Sequence, residues 1–205
     1  MENNPLVTVI IPNYNHSKFL KEAIDSVLNQ TYKPFEIIIV DDCSMDGSQD
    51  LIKEYANTFK NVRYIFHKKN KGVSDVRITA LNNIKGDYVT YLDGDDLYLP
   101  KKLQVESNII LSEKCDLAFS NNMYVNEEDT NKINWIWASN PIDLGANLFV
   151  KTISRDFPRN NLFRMELINY KLLKEIGFHD TNLKIYEDYD LRIRLAKSLK
   201  FGYSL

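Results

Sequence analysis

Little in this 205-residue chain is in excess, and each scarcity closes off a class of function. There are two cysteines, Cys43 and Cys115, far apart and without metal-ligand spacing. They encode neither a disulfide framework nor a zinc module, and a reducing compartment is the simplest setting. Charge is nearly balanced: 26 Lys and Arg against 28 Asp and Glu leave a formal net charge of -2. No bulk attraction to nucleic acid follows from that. No apolar run approaches the ~18 residues of a membrane span. The N-terminus lacks the basic, apolar, small-residue order of a signal peptide. The three histidines, His16, His67 and His179, are scattered with no pair at metal spacing and read as structural or exposed. There is no internal repeat, low-complexity tract or obvious linker. What remains is 44% hydrophobic and 26% charged, the composition of one soluble domain able to bury a core.

Hydrophobic periodicity supplies the organisation. Leu6–Ile11 is a continuous β-branched run that Pro12 stops, a buried strand. Ser17 is placed to cap the helix that follows, in which Phe19, Leu20, Ala23, Ile24, Val27 and Leu28 recur at helical spacing. Phe35–Val40 is a second strand, ending in Asp41-Asp42. Leu51, Ile52, Tyr55 and Ala56 mark a second helix, Val62–Phe66 a third strand, residues 74–84 a third helix and Tyr88–Leu92 a fourth strand. Four strand–helix alternations within about 95 residues predict an α/β fold with a mostly parallel sheet and helices on both faces. Beyond Pro100 the pattern loosens. Helices are expected over Lys101–Glu113, Leu167–Ile176 and Asp188–Leu199, with Gly177 as a stop and a short strand at Leu117–Phe119. Residues 121–160 are polar and weakly patterned, and carry Trp135, Trp137 and Pro141.

The most informative stretch is Tyr88-Val89-Thr90-Tyr91-Leu92-Asp93-Gly94-Asp95-Asp96. An apolar strand there delivers three carboxylates to one sheet edge, where they raise one another's pKa unless a cation sits among them. A hard divalent ion suits oxygen ligands of this kind. A polar turn capping the strand is the bland alternative. Strand ends at Pro12-Asn13-Tyr14, Asp41-Asp42 and Asp93-Gly94-Asp95 all face one side of a parallel sheet, the default place for a ligand crevice.

Four segments occur in order: Val9-Ile10-Ile11-Pro12-Asn13-Tyr14-Asn15, Asp41-Asp42-Cys43-Ser44-Met45-Asp46-Gly47-Ser48, Leu92-Asp93-Gly94-Asp95-Asp96 and Glu187-Asp188-Tyr189-Asp190-Leu191. Together they resemble the family 2 glycosyltransferases of GT-A fold. The resemblance covers nearly the whole chain and is densest over residues 6–100. It implies sugar transfer, with inversion, from a nucleoside-diphosphate sugar to an acceptor hydroxyl, a UDP-sugar being the first expectation. Pro12 and Tyr14, with Asn15 beside them, match the loop around the nucleotide base, and Asp42 matches the carboxylate on the base edge. Asp41 reads as structural and Asp46-Gly47 as turn chemistry. Asp93 and Asp95 match the Asp-x-Asp motif: Asp93 toward the ribose or metal, Asp95 on a Mn2+ or Mg2+ ion bridging the diphosphate. Gly94 leaves room for the donor. Arg77 matches the Arg facing the diphosphate, although Ile78 and Ala80 replace the usual Asn and Gly; a surface salt bridge is the alternative. Asp188 matches the catalytic base, and Glu187 is an acceptor contact. Trp135 and Trp137 either stack on an acceptor sugar or anchor their loop.

Alternatives stay open at several of these positions. Tyr14 also suits a core edge, Asp96 a cap for the helix near Leu99-Pro100, and Asp188 the cap of its own helix. Arg192 and Arg194 read as solvating that helix. A sugar-nucleotide pyrophosphorylase would need a Gly-rich basic loop after the first strand, and Pro12-Asn13-Tyr14-Asn15-His16 is not one. The chain ends soon after the helix of Asp188, so a truncated or compact member is expected, with a non-catalytic nucleotide-sugar-binding domain as the other reading. The partners implied are a nucleotide-sugar donor and a glycan or glycolipid acceptor, in the cytoplasm or at the inner face of a membrane.

Overall fold

The structure, a computed structural model, describes residues 4–137, 148–154, 166–183 and 185–204. A sheet of seven strands runs in the order β3-β2-β1-β4-β8-β5-β9. Its first part holds β1 (Val7–Asn13), β2 (Phe35–Asp41), β3 (Val62–Phe66) and β4 (Tyr88–Tyr91), all parallel. The helices between them are α1 (Ser17–Leu28), α2 (Ser48–Thr58) and α3 (Val73–Leu81). This is the α/β architecture that the alternation predicts.

The period of two along each strand explains why both faces are covered. Val7, Val9, Ile11, Ile37 and Ile39 point into one core with Leu20, Ala23, Ile24 and Val27 of α1. Ile10, Ile38, Val40, Val89 and Tyr91 point into the other with Val76, Ala80 and Leu81 of α3. A continuous apolar strand has no polar face to give to water, so it must be sandwiched.

The second half departs from the simple alternation. α4 (Lys102–Glu113), β5 (Leu117–Ser120), the hairpin β6 (Asn122–Val125) and β7 (Ile133–Trp137), and α5 (Leu148–Ser154) precede β8 (Leu167–Asn169). Then come α6 (Tyr170–Ile176), α7 (Glu187–Ser198) and β9 (Phe201–Ser204). The helix expected over 167–176 is therefore a strand followed by a shorter helix. Leu167 and Ile168 are fully enclosed, one in each core, which only an extended backbone allows. Asn169 then starts α6, its side-chain oxygen accepting from Leu172 N at 3.2 Å. β8 runs antiparallel to both β4 and β5.

Two expected caps also differ. Ser17 is the first residue of α1 and does not cap it; Asp46 reaches over from the next loop and accepts from Ser17 N at 2.7 Å. Burial opposes ionisation of Asp46, but donors from Ser48 and Ser17 outweigh it and hold its pKa down at about 2. Asp96 does not cap α4, which begins at Lys102 without a side-chain cap.

β1 and β2 end in register, Asn13 opposite Asp41. Asp41 is fully enclosed and accepts from Asn13 Nδ2 at 2.7 Å, Ser44 N at 2.9 Å and Gln49 Nε2 at 2.8 Å. Asp41→Ala strands these donors and is expected to cost about 2–4 kcal/mol. A shift of the urea midpoint would measure it, and an unshifted midpoint would refute it.

Candidate functional site

The parallel strands β1, β2 and β4 release their loops at one edge of the sheet, and the site lies there. Two cavities share Arg77 and Asp93. The larger, about 360 Å3, is lined by Pro12, Tyr14, Asp42, Arg77, Asp93 and Asp95 among others. The smaller, about 290 Å3, includes Asp93, Glu187 and Asp188. Residues from four distant segments thus meet as the motifs suggested.

Tyr14 is about half exposed on the wall of the larger cavity, so it is not a core-edge residue. Asp42 has a second engagement that the sequence did not reveal. Its buried carboxylate accepts from Lys71 N at 3.0 Å and Gly72 N at 2.7 Å, and His67 Nδ1 lies 2.6 Å away. His67 reaches Thr79 Oγ1 with its other nitrogen at 3.0 Å. Asp42 therefore holds the 67–72 loop, which contributes Asn70 and Gly72 to the same cavity. Asn15 lines neither cavity: at φ 56 it accepts from Met45 N at 2.9 Å and donates its own N–H to Ser44 Oγ at 2.8 Å. It staples two strand-end loops together.

At the junction, Arg77 Nη2 sits 3.3 Å from Asp93 Oδ1, and its Nε is buried without a partner among the described residues. The salt-bridge alternative is thus present, but inside the site rather than on the surface. Gly94 also sits close to the protein's own side chains. A methyl group there would come within 3.1 Å of Asn13 Oδ1 and 3.2 Å of His16 Nδ1. His16, read as structural or exposed, lines the larger cavity, and its Nδ1 has no partner among the described residues.

On the far side, α7 presents Glu187 and Asp188 in its first turn, where carboxylates favour the positive end of the helix dipole. Asp188 accepts from Tyr189 N at 2.8 Å and pairs with Arg192 Nη1 at 2.9 Å. Arg194 does not merely solvate the helix. It holds Asp190 at 2.7 Å while donating to the carbonyls of Gly177 at 2.7 Å and Phe178 at 2.8 Å. That clamp docks the turn carrying His179 onto α7. Trp135 stacks on Tyr124 at 4.4 Å in the β6–β7 hairpin and lines neither cavity. The backbone of Trp137 pairs with Asn122, and its side chain lies outside the described residues. So does Pro141 of the weakly patterned 121–160 stretch.

Among the described residues no group of three or more His, Cys, Asp or Glu side chains could hold a metal ion. The pair Asp93 and Asp95 does fit a hard divalent ion of the kind that takes one or two carboxylates and completes its shell with substrate phosphates.

Residues 8–171 match the family described as Glycosyl transferase family 2. Among curated proteins, an uncharacterized glycosyltransferase of Haemophilus influenzae is 34% identical over 200 residues, 97% of this chain and 74% of its own length. The Bacillus subtilis protein described as "Putative teichuronic acid biosynthesis glycosyltransferase TuaG" is 34% identical over 116 residues, 57% of this chain and 46% of its own. Among solved structures, S. aureus TarS 1-349 in complex with UDP-GlcNAc superposes with a TM-score of 0.77 at 21% identity, over 97% of this chain and 55% of that one. A Pyrobaculum calidifontis mannosyltransferase in complex with GDP-Man and Mn2+ gives 0.70 at 19% identity, over 99% of this chain and 55% of its own. The chain belongs to glycosyl transferase family 2 and has the fold of these GT-A enzymes. It spans about half the length of TuaG and about a third of TarS.

His179 gives this site a pH signature. Burial first, then the nearby guanidiniums of Arg77 and Arg194, push its pKa down to about 3, against 6.5 for an ordinary histidine. The unfolded chain therefore binds a proton that the folded chain refuses between those values, and stability falls as pH drops from about 6.5 to about 3. In His179→Phe that loss is expected to shrink by on the order of a few kcal/mol. Urea unfolding at a series of pH values reads the difference; identical pH slopes would show that the imidazole is not held neutral.

Proposed function

We propose that this chain is the catalytic domain of an inverting glycosyltransferase that moves a sugar from a nucleoside-diphosphate sugar, a UDP-sugar first of all, to a hydroxyl of a glycan or glycolipid. One observation supports the reading above others: the cavity with the Asp93-Gly94-Asp95 turn shares Arg77 and Asp93 with the cavity that contains Asp188. A donor lying across the junction would have its diphosphate at Arg77 and its anomeric carbon on the Asp188 side. The UDP-GlcNAc complex of TarS and the polysaccharide role in TuaG's description support the substrate class.

The residues have distinct work. Tyr14 offers a ring face to the base. Asp42 and the loop it holds form the base-edge wall. Arg77 meets the diphosphate with a planar fork of donors. Asp93 and Asp95 would hold a Mn2+ or Mg2+ ion, which supplies positive charge to the leaving diphosphate. Asp188, oriented by Arg192, takes the proton of the acceptor hydroxyl as that oxygen attacks the anomeric carbon. The sugar–phosphate bond breaks on the opposite face, its electron pair leaving with the nucleoside diphosphate, so configuration inverts. Glu187 borders the acceptor's approach. No helix among the described residues is long and apolar enough to cross a membrane. We place the reaction in the cytoplasm or at the inner membrane face, where nucleotide sugars are made.

Asp188→Asn is expected to keep donor binding and lower transfer by about 10²–10⁴-fold. Near wild-type turnover would move the base elsewhere. Calorimetry with UDP, GDP and dTDP, each with Mn2+ and with chelator, is expected to show metal-dependent binding of one nucleotide, lost in Asp95→Ala. Binding by none of them would remove the donor site from this chain; equal binding by the variant would remove Asp95 from the metal's ligands.

A further inference from the structure

The smaller cavity has a floor that the proposed proton transfer does not use. β8 makes it: with Val89 opposite Ile168 and Tyr88 opposite Asn169, the antiparallel register carries Glu166 up beside Tyr91 at the site edge. Glu166, Tyr91 and His179 are only 6%, 8% and 7% exposed, yet all three line the cavity. The Tyr91 and His179 rings meet edge to face at 6.0 Å. The Tyr91 hydroxyl and His179 Nδ1 have no hydrogen-bond partner among the described residues. Buried polar atoms left unsatisfied cost about 1–3 kcal/mol each, so a cluster at a cavity is explained by a ligand that satisfies it.

The charge states define that ligand. Burial pushes the Tyr91 phenol up, so its hydroxyl keeps its proton, while His179 stays neutral for the reason given above. Burial also pushes the Glu166 carboxyl up, against the pull of Arg192. Of the two guanidiniums lining the cavity, Arg192 is paired with Asp188 at 2.9 Å, and Arg77, 3.3 Å from Asp93, is the one assigned above to the diphosphate. Asp96 and Glu187 add further acid to the same walls. Such a floor can exchange hydrogen bonds with hydroxyls, whereas a carboxylate ligand would add charge to a site whose walls already hold Asp93, Asp96, Glu187 and Asp188 and where burial already disfavours the charge of Glu166.

We propose that Glu166, Tyr91 and His179 form the subsite for the donor's sugar ring and that this subsite selects an uncharged sugar over a uronic acid. The inference rests on the reading that the larger cavity takes the nucleoside diphosphate.

The test is calorimetry in Mn2+ with UDP, UDP-glucose and UDP-glucuronic acid, on the wild type, Glu166→Gln and His179→Phe. UDP-glucuronic acid is expected to bind the wild type at least about tenfold more weakly than UDP-glucose, because an unpaired carboxylate enters a buried acidic site. Glu166→Gln is expected to narrow that gap to under about threefold by removing the opposing carboxyl. His179→Phe is expected to weaken UDP-glucose while sparing bare UDP. Equal affinity for the two sugar nucleotides in the wild type would overturn the inference while leaving the donor reading intact. So would a gap unchanged in Glu166→Gln. If UDP and both sugar nucleotides fail to bind, the UDP-sugar reading falls and this inference with it.

Discussion

A charged group sealed from water must find every hydrogen bond inside the protein, and Asp41 is the point where this chain meets that demand. Its carboxylate gathers donors from the end of β1, the loop after β2 and the first turn of α2. Those loops carry Tyr14 and Asp42 into the larger cavity. Ser44, held by Asp41, is also the acceptor for Asn15 N. A similar logic repeats next door, where Asp42 fixes the 67–72 loop. The rigid frame of the site is thus built from buried acids rather than from the acids that face the ligand.

The two kinds of acid differ in how they are neutralised. Asp41 and Asp42 are satisfied by amide and hydroxyl donors and, at Asp42, by the adjacent His67 ring, so they need no outside help. Asp95 is exposed on the wall of the larger cavity, and among the described residues the Asp93 side chain has only the long contact with Arg77. Charge left under-compensated at a sheet edge is what a cation or a polyanion–cation pair can complete. Arg77 stands between both halves and is the natural point through which occupancy of one cavity is felt in the other.

The first half of the fold was legible because each signal was local. Val9, Ile10 and Ile11 or Ile37, Ile38 and Ile39 permit no element but a doubly covered strand. The acids at the strand ends needed only the parallel topology to converge. The second half was not legible on the same terms. Leu167, Ile168 and Asn169 fit a helix as well as a strand, and the slot between β4 and β5 decided the matter. Glu166 was missed for that reason, being invisible as a site residue unless β8 is extended and antiparallel. His16 and His179 were missed because metal spacing was the only signal asked of them, whereas their environment is set by tertiary neighbours. Arg194 is similar: its guanidinium reads three carbonyls contributed by another segment. The Asp93-Gly94-Asp95 turn stood out by its own carboxylates, while the roles expected of it and of the Glu187-Asp188 pair came through resemblance, since neither spacing alone separates a ligand from a cap.

β8 also changes what can be called a part of this molecule. It enters from late in the chain and lies between β4, which closes the early half, and β5. The two halves are therefore laced through one sheet, not laid side by side. A fragment ending near Pro100 would leave the β4 edge without its neighbour and expose a row of unpaired backbone donors and acceptors, a template for association with other chains. The two halves can diverge in their loops, but they share a backbone seam and can be exchanged between relatives only as a unit that includes it.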